Sequence, residues 1–169
     1  MPNANLKTQL SLHVLAIIAL GVMAGFFGTY SANVNLAMLQ MDGATYATAQ
    51  SAFNRSVRHA LFFVFFFSPP LLCALTASAA WSERLQGWFW CMVIAGIAYA
   101  LGIIVFTQQV NLPLNAYTES WNPNALPADW ASVREQWNAA NLLRSVVSLS
   151  AFMLALIALA WRVLTAHRD

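Results

Sequence analysis

The sequence predicts an all-α integral membrane protein, a four-helix bundle with two longer structured loops on one side. Three observations predict it. Composition falls outside the soluble range, because 60% of the 169 residues are hydrophobic and only 8% are charged, against roughly a quarter charged in a soluble domain. Mean hydropathy is +0.60. Four apolar stretches reach the roughly 20 residues that a helix needs to cross the hydrocarbon of a bilayer. The length suits a single transmembrane domain over residues 1–169, with the bundle as its core and lipid as its outer solvent. Eight Lys and Arg against six Asp and Glu leave a net charge of +2, and no basic run tracks phosphates, which excludes nucleic-acid binding.

The first span covers about residues 10–30. It follows a short polar segment with Lys7, but it is longer than the roughly 7–15 residues of a secretory h-region and no clear A-x-A site follows it. Gly21-x-x-x-Gly25 and then Gly28 suit close helix approach, within the bundle or in a homo-oligomer. The second span, about 60–81, opens on Leu61 and a run of phenylalanines and contains Pro69-Pro70, a pair that frees backbone carbonyls and should kink a helix. The third, about 88–110, follows a tight connection at Glu83, Arg84 and Gly87, so the second and third spans form an antiparallel hairpin. The fourth, about 139–164, ends at Trp161, Arg162, His167 and Arg168. Cys73 and Cys91 fall inside apolar segments, where a thiol acts as a small hydrophobe.

Four spans put both termini and the short hairpin on one side and the loops 31–59 and 111–138 on the other. Lys7, Arg84, Arg162 and Arg168 on the first side balance Arg55, Arg58, Arg134 and Arg144 on the second, so the positive-inside count is tied. Cytoplasmic termini are favoured because Arg162 and its neighbours read as ordinary flanking charges, whereas the opposing arginines lie in patterned helices. Asp42-Gly43 is a break before a helix from Ala44 that is expected to run through Gln50, Asn54 and Arg58 into the second span. Pro127-Ala128-Asp129 precedes a helix from Trp130 that continues into the fourth.

Trp130, Arg134, Trp137, Asn141, Arg144 and Ser148 recur at spacings of four and three, which places them on one stripe of that helix. An ionisable or amide side chain near the hydrocarbon is costly unless it faces the protein and finds a partner, so Arg144 and Asn141 mark a site. Snorkelling of Arg144 and interfacial anchoring by the tryptophans is the structural alternative. The run Thr107 to Asn115 ends the third span, with Pro113 expected to hold Leu112 extended and terminate the helix, and with Asn111 and Asn115 placed to cap freed carbonyls or to bind a ligand. Asn54 and Arg58 share a face of the second helix with His59 beside it. Histidine is the side chain whose unperturbed pKa lies nearest neutrality, so His59 is a candidate general base or haem ligand, and His13 a second candidate haem ligand. Zinc, triad, P-loop and dinucleotide signatures are absent.

The block Thr107-x-x-x-Asn111-x-Pro113-Leu114-Asn115 with Trp130-x-x-x-Arg134-x-x-Trp137-x-x-x-Asn141-x-x-Arg144 resembles the anthrone-oxygenase-like family of small four-helix membrane proteins. The likeness extends over the glycine-bearing first span and Asn54-x-x-Val57-Arg58. The resemblance implies oxidation of an anthrone-type phenolic substrate to the quinone by molecular oxygen, without a bound cofactor. On that footing His59 would act as base, Arg58 with Arg144 would stabilise the anion, Trp130 and Trp137 would wall the ring, Asn111, Asn115 and Asn141 would orient substrate oxygens, and Asn54 and Arg134 would belong to the substrate-binding set. The alternative is a non-catalytic protein that holds haem, quinone or lipid between its helices, with His13 or His59 as haem ligands. A transporter is disfavoured by the lack of an inverted repeat. Thiol labelling tests the orientation: cysteines introduced at residues 116–126 should react from outside, and those near residue 84 should not.

Overall fold

The computed structural model describes residues 4–166, all of whose regular elements are helical; His167 and Arg168 lie outside the described residues. Helix α1, Ala4–Thr29, passes through a widened π turn at Tyr30–Val34 into the short α2, Asn35–Met38. Helix α3, Gly43–Ser56, is capped by Asp42, whose carboxylate accepts from the backbone N–H and the hydroxyl of Thr45 at 2.9 Å each. Those bonds to the charged form hold the Asp42 carboxyl below its ordinary range. Helix α4, Ala60–Ala79, and α5, Gly87–Tyr99, form the expected hairpin. Two further π turns, Ala100–Val105 and Thr107–Asn111, carry α5 into α6, Leu112–Glu119, and α7, Trp130–Ala166, is one long helix.

Four helical stretches are long and apolar enough to cross a membrane: Leu6–Met38, Ala60–Ala79, Gly87–Glu119 and Trp130–Thr165. The chain is an integral membrane protein. In cross-section α1 packs against α4 and α7, and α5 packs against the same two, so α1 and α5 stand on the diagonal. One core of Leu20, Met23, Phe27, Phe89, Met92, Tyr99 and Ile103 fills the centre. A second cluster, Met38, Tyr46, Ala47, Trp121 and Val133, forms a cap over one end, where α3 rests on α6. Burial pushes the Tyr46 phenol in this cap up to about 12, so it stays protonated at ordinary pH.

Both longer connections lie on one side and are largely helical, but three boundaries differ from expectation. The first and third spans overrun their expected ends as helix. Pro113 does not terminate the third, and Leu112 is helical (φ −65°, ψ −43°). Coming directly after a π turn, Pro113 occupies the first turn of a new α-helical segment, where a missing N–H costs little. Conversely, α3 and α4 are not one helix. His59 is extended (φ −129°, ψ 160°) and caps α4, its Nδ1 accepting from the Phe62 N–H at 3.3 Å. The break lets polar α3 lie on the cap while apolar α4 crosses lipid.

Pro69 and Pro70 sit inside a continuous α4. Proline at 70 cannot donate to the Phe66 carbonyl one turn earlier, and the hydroxyl of fully buried Tyr99 supplies that bond instead at 3.2 Å. Close contact helps, since a Cβ on Gly96 would stand 2.8 Å from the Cys73 Cβ. Tyr99→Phe should cost about 1 kcal/mol in reversible unfolding from detergent. In a Pro70→Ala background, where the backbone N–H returns, the same change should cost close to nothing.

Candidate functional site

Helix α7 turns Trp137, Asn141, Arg144 and Ser148 inward, and Arg144 is the group the rest must accommodate. It is 7% exposed. Its guanidinium donates to Asn141 Oδ1 at 2.9 Å and reaches Thr107 Oγ1 at 3.5 Å, while Nε has no partner. The Phe27 and Trp137 rings flank it, with centroids 4.7 and 5.7 Å from Cζ. Among the described residues the ion pairs are Arg58–Glu119 and Arg162–Glu83. None of the described carboxylates neutralises Arg144, and a buried charge in that state is costly unless a ligand completes it.

The first span fixes Arg144 through Asn141. Just below the π turn at Tyr30–Val34, the Phe27 carbonyl accepts from Asn141 Nδ2 (3.3 Å) and Ser145 Oγ (2.8 Å), and Ser31 Oγ accepts from Asn141 Nδ2 (2.8 Å). The Asn141 amide is thereby oriented with its oxygen toward the guanidinium. π turns of this kind cluster at functional sites, and here one on each diagonal helix stands beside the arginine.

Above it runs a collar of directional bonds. Tyr30 Oη donates to Gln50 Oε1 (3.0 Å), Gln50 Nε2 to Asn54 Oδ1 (3.0 Å), Asn54 Nδ2 to Thr118 Oγ1 (3.2 Å), and Thr118 Oγ1 to the Asn115 carbonyl (3.1 Å). Trp137 Nε1 donates to Asn115 Oδ1 (2.7 Å), and its ring meets Tyr30 at 4.7 Å, which closes the circuit. The Gln50 and Asn54 amides each accept at oxygen and donate at nitrogen, so neither can flip without its neighbours. Gln50 and Thr118 are buried, and the collar ties α1, α3, α6 and α7 together.

Inside lies a cavity of about 240 Å³. Arg144, Asn141, Trp137, Asn115, Asn54 and His59 line it, together with Tyr30 and the phenylalanines 26, 27, 53 and 62. Asn54 and Asn141 have their amides committed to protein partners. Arg144 therefore remains the strong donor with unused capacity, and the chamber suits a planar, anionic or hydrogen-bond-accepting guest.

Other expected site residues fall elsewhere. Arg58 lies outside the cavity, because the helix break turns it away; it is exposed and pairs with Glu119. Trp130 and Arg134 belong to the cap, with Arg134 Cζ 4.9 Å from the Trp130 ring and 5.6 Å from Tyr46. Asn111 is fully buried with neither amide atom partnered, and it does not line the cavity. His13 sits at the opposite end, its Nε2 3.1 Å from the Ala155 carbonyl. Fourteen residues of α7 separate Ala155 from Asn141 beside the cavity, about 21 Å of helix. His13 and His59 thus cannot ligate one haem. Arg162 is no flanking charge either: it is 4% exposed, bonded to Gln9 and Glu83 and laid over Trp88. Gly21 faces Phe152 within the bundle, while Gly25 and Gly28 have open space around them.

Sequence reasoning missed Tyr30, Gln50, Thr118, Ser31 and the phenylalanine walls. Gln50 and Asn54, four apart on a polar helix, were the available signal. The aromatic residues sat inside apolar runs where nothing distinguishes a cavity wall from a lipid-facing ring.

Fold and site together define a multi-span helical membrane protein with a buried, unneutralised cation in an aromatic cavity. Residues 60–154, more than half of the chain, match the anthrone oxygenase family; the chain belongs to that family. No curated protein and no solved structure matches it.

His59 can be tested apart from any chemistry. Asparagine caps helices well, so His59→Asn should unfold like wild type, whereas His59→Ala should lose about 1 kcal/mol in chemical denaturation.

Proposed function

We propose that the protein is an oxygenase that binds an anthrone-type phenolic anion against Arg144 and oxidises it with molecular oxygen, needing no bound cofactor. The observation that carries this reading is the buried guanidinium with spare donors and no carboxylate, flanked by aromatic rings in a cavity. Loss of a proton makes the substrate electron-rich enough to reduce oxygen. The anion passes an electron to O₂, the radical pair closes a C–O bond, and the peroxide takes back a proton. Its O–O bond then breaks as the same carbon gives up its remaining hydrogen as a proton, leaving one oxygen on the carbon as a carbonyl and the other, joined by that proton, as water. No net electrons are required from elsewhere.

Arg144 lowers the energy of the anion that forms on proton loss, with donors already in place. Asn141 holds the guanidinium fork and Trp137 and Phe27 wall the ring. His59 at the rim is the candidate base. Its Nδ1 is engaged in capping α4, so the neutral ring carries its proton on Nε2. Accepting the substrate proton means surrendering that cap, because either Nδ1 takes the proton itself or Nε2 takes it from the tautomer whose Nδ1–H no longer accepts from Phe62.

Arg144→Lys separates this role from a structural one. The lysine keeps the charge but not the planar fork. The variant should elute like wild type in size exclusion, yet its oxygen uptake with a model anthrone should fall about 100-fold, mainly in kcat. Wild-type turnover in a folded lysine variant would remove Arg144 from the reaction.

A further inference from the structure

The cavity is charged at its floor and has a mouth of two sides. Phe27, Asn54, Trp137, Asn141 and Arg144, all under a tenth exposed, make the floor. Phe26 and Phe53, 47% and 46% exposed, make the apolar side of the mouth with half-buried Phe62, and exposed Ser56 and His59 make the polar side.

Depth follows from α4. Its 20 residues span about 30 Å, the thickness of the hydrocarbon, so its cap His59 marks one boundary. Phe62 is one turn inside that boundary. Its ring meets Phe26 of α1 at 5.3 Å, and the neighbouring Phe27 ring lies under Arg144. On that placement the guanidinium stands about one helical turn below the hydrocarbon edge, and the Phe26–Phe62 contact is the gate on the side of the mouth turned toward lipid.

Size sets the second condition. A cavity of about 150 Å³ encloses a benzene ring, so about 240 Å³ holds one substituted ring with little to spare. A larger ligand must leave its remainder outside, and outside the gate is the acyl-chain region.

We propose, building on the oxygenase reading, that the ligand class is an amphiphilic phenol. Its phenolic ring enters first, between Phe26 and Phe62, to meet Arg144, and its apolar remainder, a fused ring system or an alkyl or prenyl tail, stays in the bilayer. Membrane partitioning concentrates such a molecule at the gate. The hydroxyl, at the depth where it ordinarily sits among headgroups, moves inward only because Arg144 replaces its water partners.

The full-length protein in lipid nanodiscs tests this with two para-dodecylphenols, one brominated on the ring and one at the far end of the tail. Bromine quenches a neighbouring indole, and the Trp137 contribution is isolated by difference from Trp137→Phe. Ring-first entry predicts saturable quenching of Trp137 by the ring-brominated probe and none by the tail-brominated one. Quenching by the tail-brominated probe, or saturable quenching by neither, would overturn the proposal. In Arg144→Gln the affinity for the ring-brominated probe should fall about tenfold; an unchanged affinity would overturn the part assigned to the floor. The orientation readout is made on protein with Arg144 intact, so poor folding of that variant leaves it standing. Binding in the expected orientation without oxygen uptake by any phenol or anthrone would remove the oxygenase reading alone. Uptake with a short, water-soluble anthrone but no binding of the tailed probes would remove this proposal alone.

Discussion

A buried guanidinium with no carboxylate beside it among the described residues is the constraint on which this structure turns. Arg144 cannot lose its charge at any ordinary pH and is 7% exposed, with the cavity as its opening. Everything around it answers that cost. Asn141 accepts from it, Ser31 and the Phe27 carbonyl orient Asn141, and Phe27 and Trp137 offer their faces. In the proposed function the remaining deficit would supply affinity, since an acceptor placed there is repaid with an interaction far stronger than in water.

Backbone irregularity is how the helices reach that arrangement. A straight α-helix presents each carbonyl to its own chain. The π turns at Tyr30–Val34 and Thr107–Asn111 widen the helix beside the site and change the facing of everything beyond them. They also explain why Pro113 passes without ending its helix. At Pro70 the same need is met from a neighbour, by the Tyr99 hydroxyl. In each case a membrane interior that supplies no water forces the protein to provide the missing partner.

The two ends of the bundle solve similar problems for different purposes. At the terminal end Arg162 is buried too, but Glu83 and Gln9 accept from it and Trp88 covers it. That charge is neutralised by Glu83, although Arg162 Nη1 is left unpartnered just as Arg144 Nε is. The contrast between two buried arginines on one helix, one beside a carboxylate and one without, is what favours a binding role for Arg144 in the proposed function.

The sequence by itself determined the fold class, the spans and the stripe from Trp137 to Ser148, because hydropathy over about 20 residues and a 3.6-residue period are local properties that lipid enforces. It also pointed to Arg144, because burying charge at that depth is costly wherever it occurs. Tertiary structure decided which stripe residues share a cavity. Trp130 and Arg134 continue the pattern in register, yet they lie two turns or more beyond Asn141 and pack on Tyr46 in the cap. Arg58 looked equivalent to Asn54 until His59 took an extended conformation and broke the helix between them and the membrane. Tyr30, Gln50 and Thr118 became a collar only when α1, α3 and α6 met, since a hydrogen bond between residues 20 or 64 apart in sequence leaves no local trace. Periodicity reports which way a side chain faces on its own helix, and packing alone reports what it faces.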